Sequence, residues 1–486
     1  MSTVQRIAKN TAVMATAQIV SYVVNFFSAM FTARYLGVEN YGVLSFALAF
    51  AGIFAVFTDL GVSTLATREI ARNKSLTTKY LVNLSLIKVI SVAAVFGVIA
   101  LTINLMSYPH QTVAVVYVAS LSVVIGAFTQ VFYAIFLAHE RMQYQAFGLF
   151  LYSVAVLLAV MLAIRFELAL VDFAILYSAA GAALALFYCL AVYRLKFHQP
   201  QPGAVAAKAG VDWSFSKSLV RAALPLLAAS VFIMIAYRID MVMLSLMKGD
   251  AAVGLYSAAY KLIDALGFIP MAFSTALFPV LSQLHVSAQD SLKFAYQKAF
   301  KYLLIVGLPI AVGTTLVADR IIVGIYSINF SEATSVLRIL IWAGALNFLN
   351  WLLWTMLTSI NKQHVITRVT FLSMSFNIIA NLILIPKYSY NGAAIATTMT
   401  YGAACGLYLH FVSKFVCKVE SHKLITKPAI ASAAVAASLI VLQRLSLFLL
   451  VPIAGMIYFV VLILLRDLTS EDLRLLKQVR RMREPR

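Results

Sequence analysis

The sequence predicts an all-α integral membrane protein with fourteen transmembrane helices. Three observations carry that prediction. Of 486 residues, 62% are apolar and only 12% are charged, with a mean hydropathy of +0.92; soluble domains run at about 45–50% apolar and about 25% charged. The apolar residues form continuous runs, and about 20 such residues are needed to cross a hydrocarbon core. The 38 Lys and Arg residues alternate between crowded and sparse connections. Together these exclude a soluble enzyme, a disordered chain and a secreted disulfide scaffold. A β-barrel would alternate apolar and polar residues along each strand, which these runs do not.

In chain order the runs lie near 11–33, 42–65, 80–106, 112–137, 146–164, 168–193, 219–247, 251–281, 300–318, 333–359, 366–385, 391–416, 429–443 and 446–465. The first has a basic flank, Arg6 and Lys9. Its apolar stretch is too long for a cleavable signal, so it reads as an anchor that is kept. The ninth trails into a semi-polar segment, 319–332, and the thirteenth is short. The longest connection, Arg194 to Lys217, contains Pro200, Pro202 and Gly203 and reads as a linker; no connection is long enough for a folded domain. Cys189, Cys405 and Cys417 lie in or beside spans without CxxC spacing, so they carry no redox or metal signal.

The formal net charge of +20 follows topology rather than nucleic-acid binding. With the N-terminus placed in the cytoplasm, 28 of the 38 basic residues fall on the cytoplasmic side and six on the outer side, one in each of six connections. Cytoplasmic loops are expected to be rich in Lys and Arg. The bias predicts a cytoplasmic (inner) membrane protein with both termini in the cytoplasm, its basic loops meeting anionic lipid head groups. Thr469–Met482 reads as a basic amphipathic surface helix with Leu473, Leu476 and Val479 inward.

An internal repeat organises the spans. Gly37-Val-Glu-Asn-Tyr-Gly42-Val-Leu-Ser45-Phe-Ala47 aligns without gaps on Gly249-Asp-Ala-Ala-Val-Gly254-Leu-Tyr-Ser257-Ala-Ala259, at an offset of 212 residues. Each copy sits at an outer turn between an odd span and the next even one. The expected organisation is an N-lobe, 1–193, a cytoplasmic linker, 194–218, and a C-lobe, 219–416, followed by two appended spans, 429–465, and a basic tail, 467–486. Parallel repeats around a central cavity are a transporter pattern.

The same segments resemble a known family. Ala33-Arg34-Tyr35-Leu36-Gly37 with Tyr41-Gly42, then Asp59-Leu60-Gly61 and Arg68-Glu69-Ile70-Ala71, resemble the first two spans of polysaccharide repeat-unit flippases (Wzx type). These belong to the multidrug/oligosaccharidyl-lipid/polysaccharide exporter superfamily. Tyr237-Arg238-Ile239-Asp240, Val253-Gly254-Leu255-Tyr256 and Leu277-Phe278-Pro279-Val280-Leu281-Ser282 resemble the seventh and eighth spans, and Asn391-Gly392-Ala393-Ala394-Ile395-Ala396 the twelfth. The resemblance implies two lobes around a cavity and alternating access. It implies an undecaprenyl-diphosphate-linked oligosaccharide (an O-antigen, capsule or exopolysaccharide unit) as cargo, and coupling to a proton or sodium gradient with no other cofactor. It also suggests polysaccharide polymerase machinery as a partner.

Ionisable groups inside spans are costly and mark candidate sites. The basic set is Lys88, Arg238, Lys261 and Arg338; the acidic set is Asp59, Asp172, Asp240 and Asp264. Arg238 and Asp240, two apart, point about 200° apart on a helix, so at least one addresses another helix. Lys261 and Asp264 are three apart on one face: either a structural ion pair, or a base that meets a diphosphate beside an acid that takes a proton. Lys88 either snorkels to the surface or lines the cavity. Asp59 is either bonded to nearby backbone or a cavity carboxylate. Arg34 is interfacial or stands at the cavity mouth. Asp172 and Arg338 are shallow. Guanidinium and ammonium groups suit a diphosphate, so the substrate-binding candidates are Arg238, Lys261, Lys88 and Arg34. The ion-coupling candidates are Asp240, Asp264 and Asp59. Asn25, Gln130, Asn347, Asn350, Asn377 and Asn381 are in-span amides, available to sugars or to other helices. Pro225, Pro270, Pro279 and Pro309 interrupt spans seven to nine.

The sequence has no P-loop and no HExxH, so neither ATP hydrolysis nor metal-dependent catalysis by this chain is expected. A polytopic glycan ligase or transferase is the enzyme alternative, disfavoured by the short outer loops. A multidrug/cation antiporter or a lipid-linked peptidoglycan precursor flippase of the same superfamily are the transport alternatives; the first would want a net acidic cavity.

Overall fold

The computed structural model describes residues 3–195, 197, 210–418 and 421–467. Among these the regular elements are helices: α1 Thr3–Asp59, α2 Val62–Arg72, α3 Thr77–Leu105, α4 His110–Ala138, α5 Met142–Arg165, α6 Leu170–Arg194, α7 Trp213–Lys248, α8 Asp250–Leu266, α9 Phe268–Ser287, α10 Gln289–Tyr326, α11 Ala333–Ser359, α12 Gln363–Phe415, α13 Ser421–Val441 and α14 Leu447–Leu464, with two short 3-10 turns. Twelve stretches are long and apolar enough to cross a membrane. Two of them, Thr16–Asp59 at 44 residues and Gln363–Phe415 at 53, exceed about 60 Å at the helical rise, against a core of about 30 Å. Each is broken once, at Gly37 (φ 73°, ψ 179°) and at Ser389 (φ 52°, ψ −133°). Each therefore supplies two crossing lengths, which accounts for the fourteen predicted spans.

The boundaries differ where local backbone intervenes. The second span ends at Asp59 rather than at 65, because Leu60 (φ 52°) and Gly61 (φ 76°) are both left-handed. The chain resumes as the amphipathic α2, which buries Val62, Leu65, Ala66 and Ile70. The eighth span is split at Gly267 into α8 and α9, three residues before Pro270, whose missing N–H weakens the helix there. The semi-polar 319–332 stays helical as far as Tyr326. The expected tail helix lies outside the described residues, as does most of the linker.

The two copies of the repeat meet. A Cβ on Gly42 would lie 1.8 Å from the Asp250 carbonyl oxygen, and one on Gly254 would lie 2.0 Å from the Val38 carbonyl oxygen. Val38 and Asp250 are related by the same offset as Gly42 and Gly254. The contact is thus reciprocal, and α1 and α8 approach so closely that only glycine fits at both positions.

Contacts group the chain into two compact units, Met1–Phe268 with Thr370–Ala396, and Ile269–Val369 with Thr397–Arg486. This is a division by packing, whereas the lobes 1–193 and 219–416 were drawn from the repeat. In the first unit the start of α7 packs Leu219 and Ala223 among Val62, Leu65, Tyr80, Leu84, Val131 and Ile135 of α2–α4. Asn83, with no exposed surface, accepts from the Asp212 N–H (2.8 Å) and Ser216 Oγ (3.0 Å) and donates to the Gly210 carbonyl (3.1 Å). Asp212 caps α7 through the Phe215 N–H and pairs with Lys79 at 3.1 Å. Ser214, that N–H and Lys79 hold its carboxyl down to about 2.

In the second unit Pro309 lies inside α10, so the carbonyl four residues earlier, Ile305, has no helical donor. The Tyr458 hydroxyl of α14 donates to it at 2.8 Å. The two last helices add Ala431, Val435, Leu439, Leu450, Ala454 and Leu462 to one apolar cluster with Ile305 and Val317.

Candidate functional site

The in-span charges of the first unit fall into three groups. The first is neutralised. Lys88 on α3 is fully buried and pairs with Asp59 at the end of α1, whose side chain is 20% exposed. Ser63 also donates to that carboxylate, and the ammonium reaches Gln130 Oε1 on α4 at 3.4 Å. Of the two sequence readings for Lys88, snorkelling is overturned. Asp59, the last residue of α1, faces α3, so the ammonium finds its counter-charge inside the bundle. Gln130 is exposed and, with Leu48, Ala51, Gly52, Ser122 and Gly126, lines a cavity of about 210 Å³ between α1 and α4.

The second group is a polar knot on Asp240, which is 3% exposed. Its carboxylate accepts from Tyr256 Oη on α8 (2.9 Å) and from Asn381 Nδ2 on α12 (2.6 Å). Asn381 also donates to Asn377 Oδ1 at 3.1 Å. Three helices thus converge on one acid, to which a phenol and an amide N–H both donate. Asn381 Oδ1 is buried without a hydrogen-bond partner.

The third group sets two bases, Arg238 and Lys261, against one carboxylate, Asp264. Arg238 points the other way from Asp240, toward α1: its Nε lies 3.9 Å from where a Cβ on Gly52 would be. That Nε is buried and makes no hydrogen bond, while the guanidinium carbon sits 4.8 Å from the ring centroid of Tyr237. Lys261 is within electrostatic reach of Arg238 and Asp264. The ion pair that spacing allowed between Lys261 and Asp264 does not form among the described residues. Asp264 instead accepts the Tyr237 hydroxyl at 2.7 Å, and Tyr22 of α1 lies within its field. The phenol, from the neighbouring α7, takes the contact that spacing had offered to Lys261.

Arg34 is exposed, three residues before the break at Gly37. Asp172 accepts the Ala169 N–H at 3.0 Å at the start of α6, a capping role in keeping with its shallow position, and Arg338 is exposed. Sequence reasoning passed over Tyr237, Tyr256 and Ser63, which hold three of the site carboxylates. The only available signal for Tyr237 was its place beside Arg238. Among the described residues no group of three or more His, Cys, Asp or Glu could hold a metal ion.

The model of the family described as polysaccharide biosynthesis protein matches residues 7–285, more than half of the chain. The chain belongs to the polysaccharide biosynthesis protein family. A second model, MatE, matches residues 225–383. Membership agrees with the resemblance read from the motifs around Gly37, Asp59, Arg238 and Pro279, and with the superfamily they indicated; the chain is a multi-pass membrane protein. Two relatives are similar over part of their length. The probable low-salt glycan biosynthesis flippase Agl15 of Haloferax volcanii is 24% identical over 178 residues, 36% of this chain and 38% of its own. The uncharacterized membrane protein MJ1068 of Methanocaldococcus jannaschii is 26% identical over 211 residues, 42% of this chain and 41% of its own. The chain thus spans about two fifths of the length of these relatives. Its fold is that of the lipid II flippase MurJ in an inward closed conformation, with a TM-score of 0.77 at 15% identity over 94% of this chain and 99% of that one.

Proposed function

We propose that this protein is a flippase, not an enzyme, that carries a lipid-diphosphate-linked oligosaccharide from the inner to the outer leaflet of the cytoplasmic membrane by alternating access. The observation that carries the reading is the third charge group. Arg238 and Lys261 stand within each other's field inside the membrane-crossing region, with one carboxylate nearby already engaged by a phenol. Two bases facing a single carboxylate leave a net positive charge, which is expensive in such a place, and a diphosphate carrying about two negative charges supplies what they lack through charge-assisted hydrogen bonds. Polysaccharide family membership, and a relative named as a glycan biosynthesis flippase, support the same cargo class.

In this reading Arg238 and Lys261 hold the diphosphate, and Arg34 meets the head group at the turn. Lys88 serves only when Asp59 releases it. Asp264 and Asp240 are the coupling carboxylates, for a proton or for Na⁺. Anionic lipids hold the basic cytoplasmic loops, and a polysaccharide polymerase would take the product. The fold shared with MurJ makes a peptidoglycan precursor the second reading; it shares the lipid-diphosphate chemistry and differs in the glycan.

The test is the Arg238→Ala/Lys261→Ala double variant. Surface polysaccharide should be lost while the protein stays in the membrane at normal level. Normal polymer output would remove both residues from the site.

A further inference from the structure

We propose that Tyr237 is a positioning residue that ties the anion-holding guanidinium of Arg238 to the coupling carboxylate of Asp264. The inference rests on the reading above. Tyr237 offers two chemically different surfaces. Its face holds the Arg238 guanidinium, 4.8 Å from ring centroid to the central carbon. Its hydroxyl donates to Asp264 Oδ1 at 2.7 Å. Its ring is in turn fixed edge-on against Tyr260, with centroids 5.7 Å apart at 70°, and Tyr260 is 6% exposed. The ring therefore has little freedom to turn, and a displacement of either charged group is passed to the other.

The arrangement has a physical logic. Arg238 has an interior Nε without a hydrogen-bond partner, and an aromatic face is a weak holder for a cation. It keeps the guanidinium in place without competing with an incoming anion as a carboxylate would. When a diphosphate draws the guanidinium off the ring, Tyr237 loses its stacking partner and its hydroxyl contact with Asp264 must readjust. Asp264 is faced by Tyr237 from α7 and Tyr22 from α1, and by Lys261 on its own helix. Lys261 is a base that the same diphosphate would occupy. Arrival of the anion thus changes the donors around the acid, which is what coupling needs.

Two variants separate the surfaces. Tyr237→Phe keeps the face and removes the hydroxyl; Tyr237→Leu removes both. The full chain is purified for equilibrium binding of farnesyl diphosphate. It is then reconstituted to measure translocation of a fluorescent short-chain prenyl diphosphate, with and without an imposed proton or sodium gradient. Tyr237→Phe should bind farnesyl diphosphate within twofold of the parent but lose most of the acceleration by the gradient. Tyr237→Leu should also bind about five- to tenfold more weakly, the size expected when a partly desolvated cation–π contact is lost. Adding Tyr237→Phe to Asp264→Asn should change the gradient response no further. That arm needs only the conservative variant, should Tyr237→Leu fail to fold. A Tyr237→Phe protein that keeps its full gradient response, or loses affinity as much as Tyr237→Leu does, overturns the proposal. Arg238→Ala is the control for the underlying reading: unchanged farnesyl diphosphate affinity there sinks the diphosphate site itself, whereas lost affinity there with a silent Tyr237→Phe sinks only the role of Tyr237.

Discussion

Lys88 has no exposed surface, and Asp59 faces it inside the bundle. Such a pair adds little net stability as a whole, but removing one partner strands the other. Lys88→Met alone should therefore cost about 3 kcal/mol, while Lys88→Met with Asp59→Asn should recover most of it; thermal unfolding of the purified variants in detergent checks both. The contrast with Arg238 and Lys261 is the basis for assigning function to one set of in-span bases and structure to the other. Spacing could not separate them, because it does not say which carboxylate each base meets. What distinguishes Lys88 is Asp59, a counter-charge on another helix 29 residues away in the chain. His139, at the end of α4, is a further residue-scale case. Its ring meets the Thr77 hydroxyl at 3.0 Å and stacks on Phe197. Burial, with Lys74 and Arg141 nearby, pulls its pKa from 6.5 to about 4. The fold therefore favours the neutral ring. That contribution is complete above the ordinary value and is lost as pH falls from about 6.5 toward 4. Melting temperature should drop between pH 7.5 and 5, and His139→Asn should flatten the drop.

At the scale of elements, prolines and glycines decide geometry. Pro309 frees the Ile305 carbonyl inside an apolar cluster, and Tyr458 supplies the missing donor. Tyr458→Phe should leave that carbonyl buried and unpaired, at a cost of about 1–2 kcal/mol, visible as a lower melting temperature without change in the helical signal. The role of α14 follows from this: it completes α10 as well as crossing the membrane. The glycine pair of the repeat was legible as a match at an offset of 212 residues. That Gly42 and Gly254 touch each other's repeat was not, since alignment gives correspondence and not proximity.

For the whole molecule, apolar runs located nearly every span, because a bilayer imposes length and composition on each helix separately. The error falls where a residue outside that rule acts: Gly61, with Leu60, ended a span early. The candidate site was only half legible. Its charged residues stand out against apolar neighbours, but their partners are tyrosines and amides on other helices, of residue types common throughout the chain. Packing also brings Asn381 to Asp240 across 141 positions, and no local pattern marks that. Family membership supports the proposed cargo class, and the charge groups carry the proposal of which bases receive it.

The most direct measurement is translocation of a fluorescent undecaprenyl-diphosphate-linked oligosaccharide across vesicles containing the purified full chain. Protein-dependent movement should be present and should fall at least tenfold in the Arg238→Ala/Lys261→Ala variant. Movement no faster than in protein-free vesicles, or undiminished in the variant, would contradict the account.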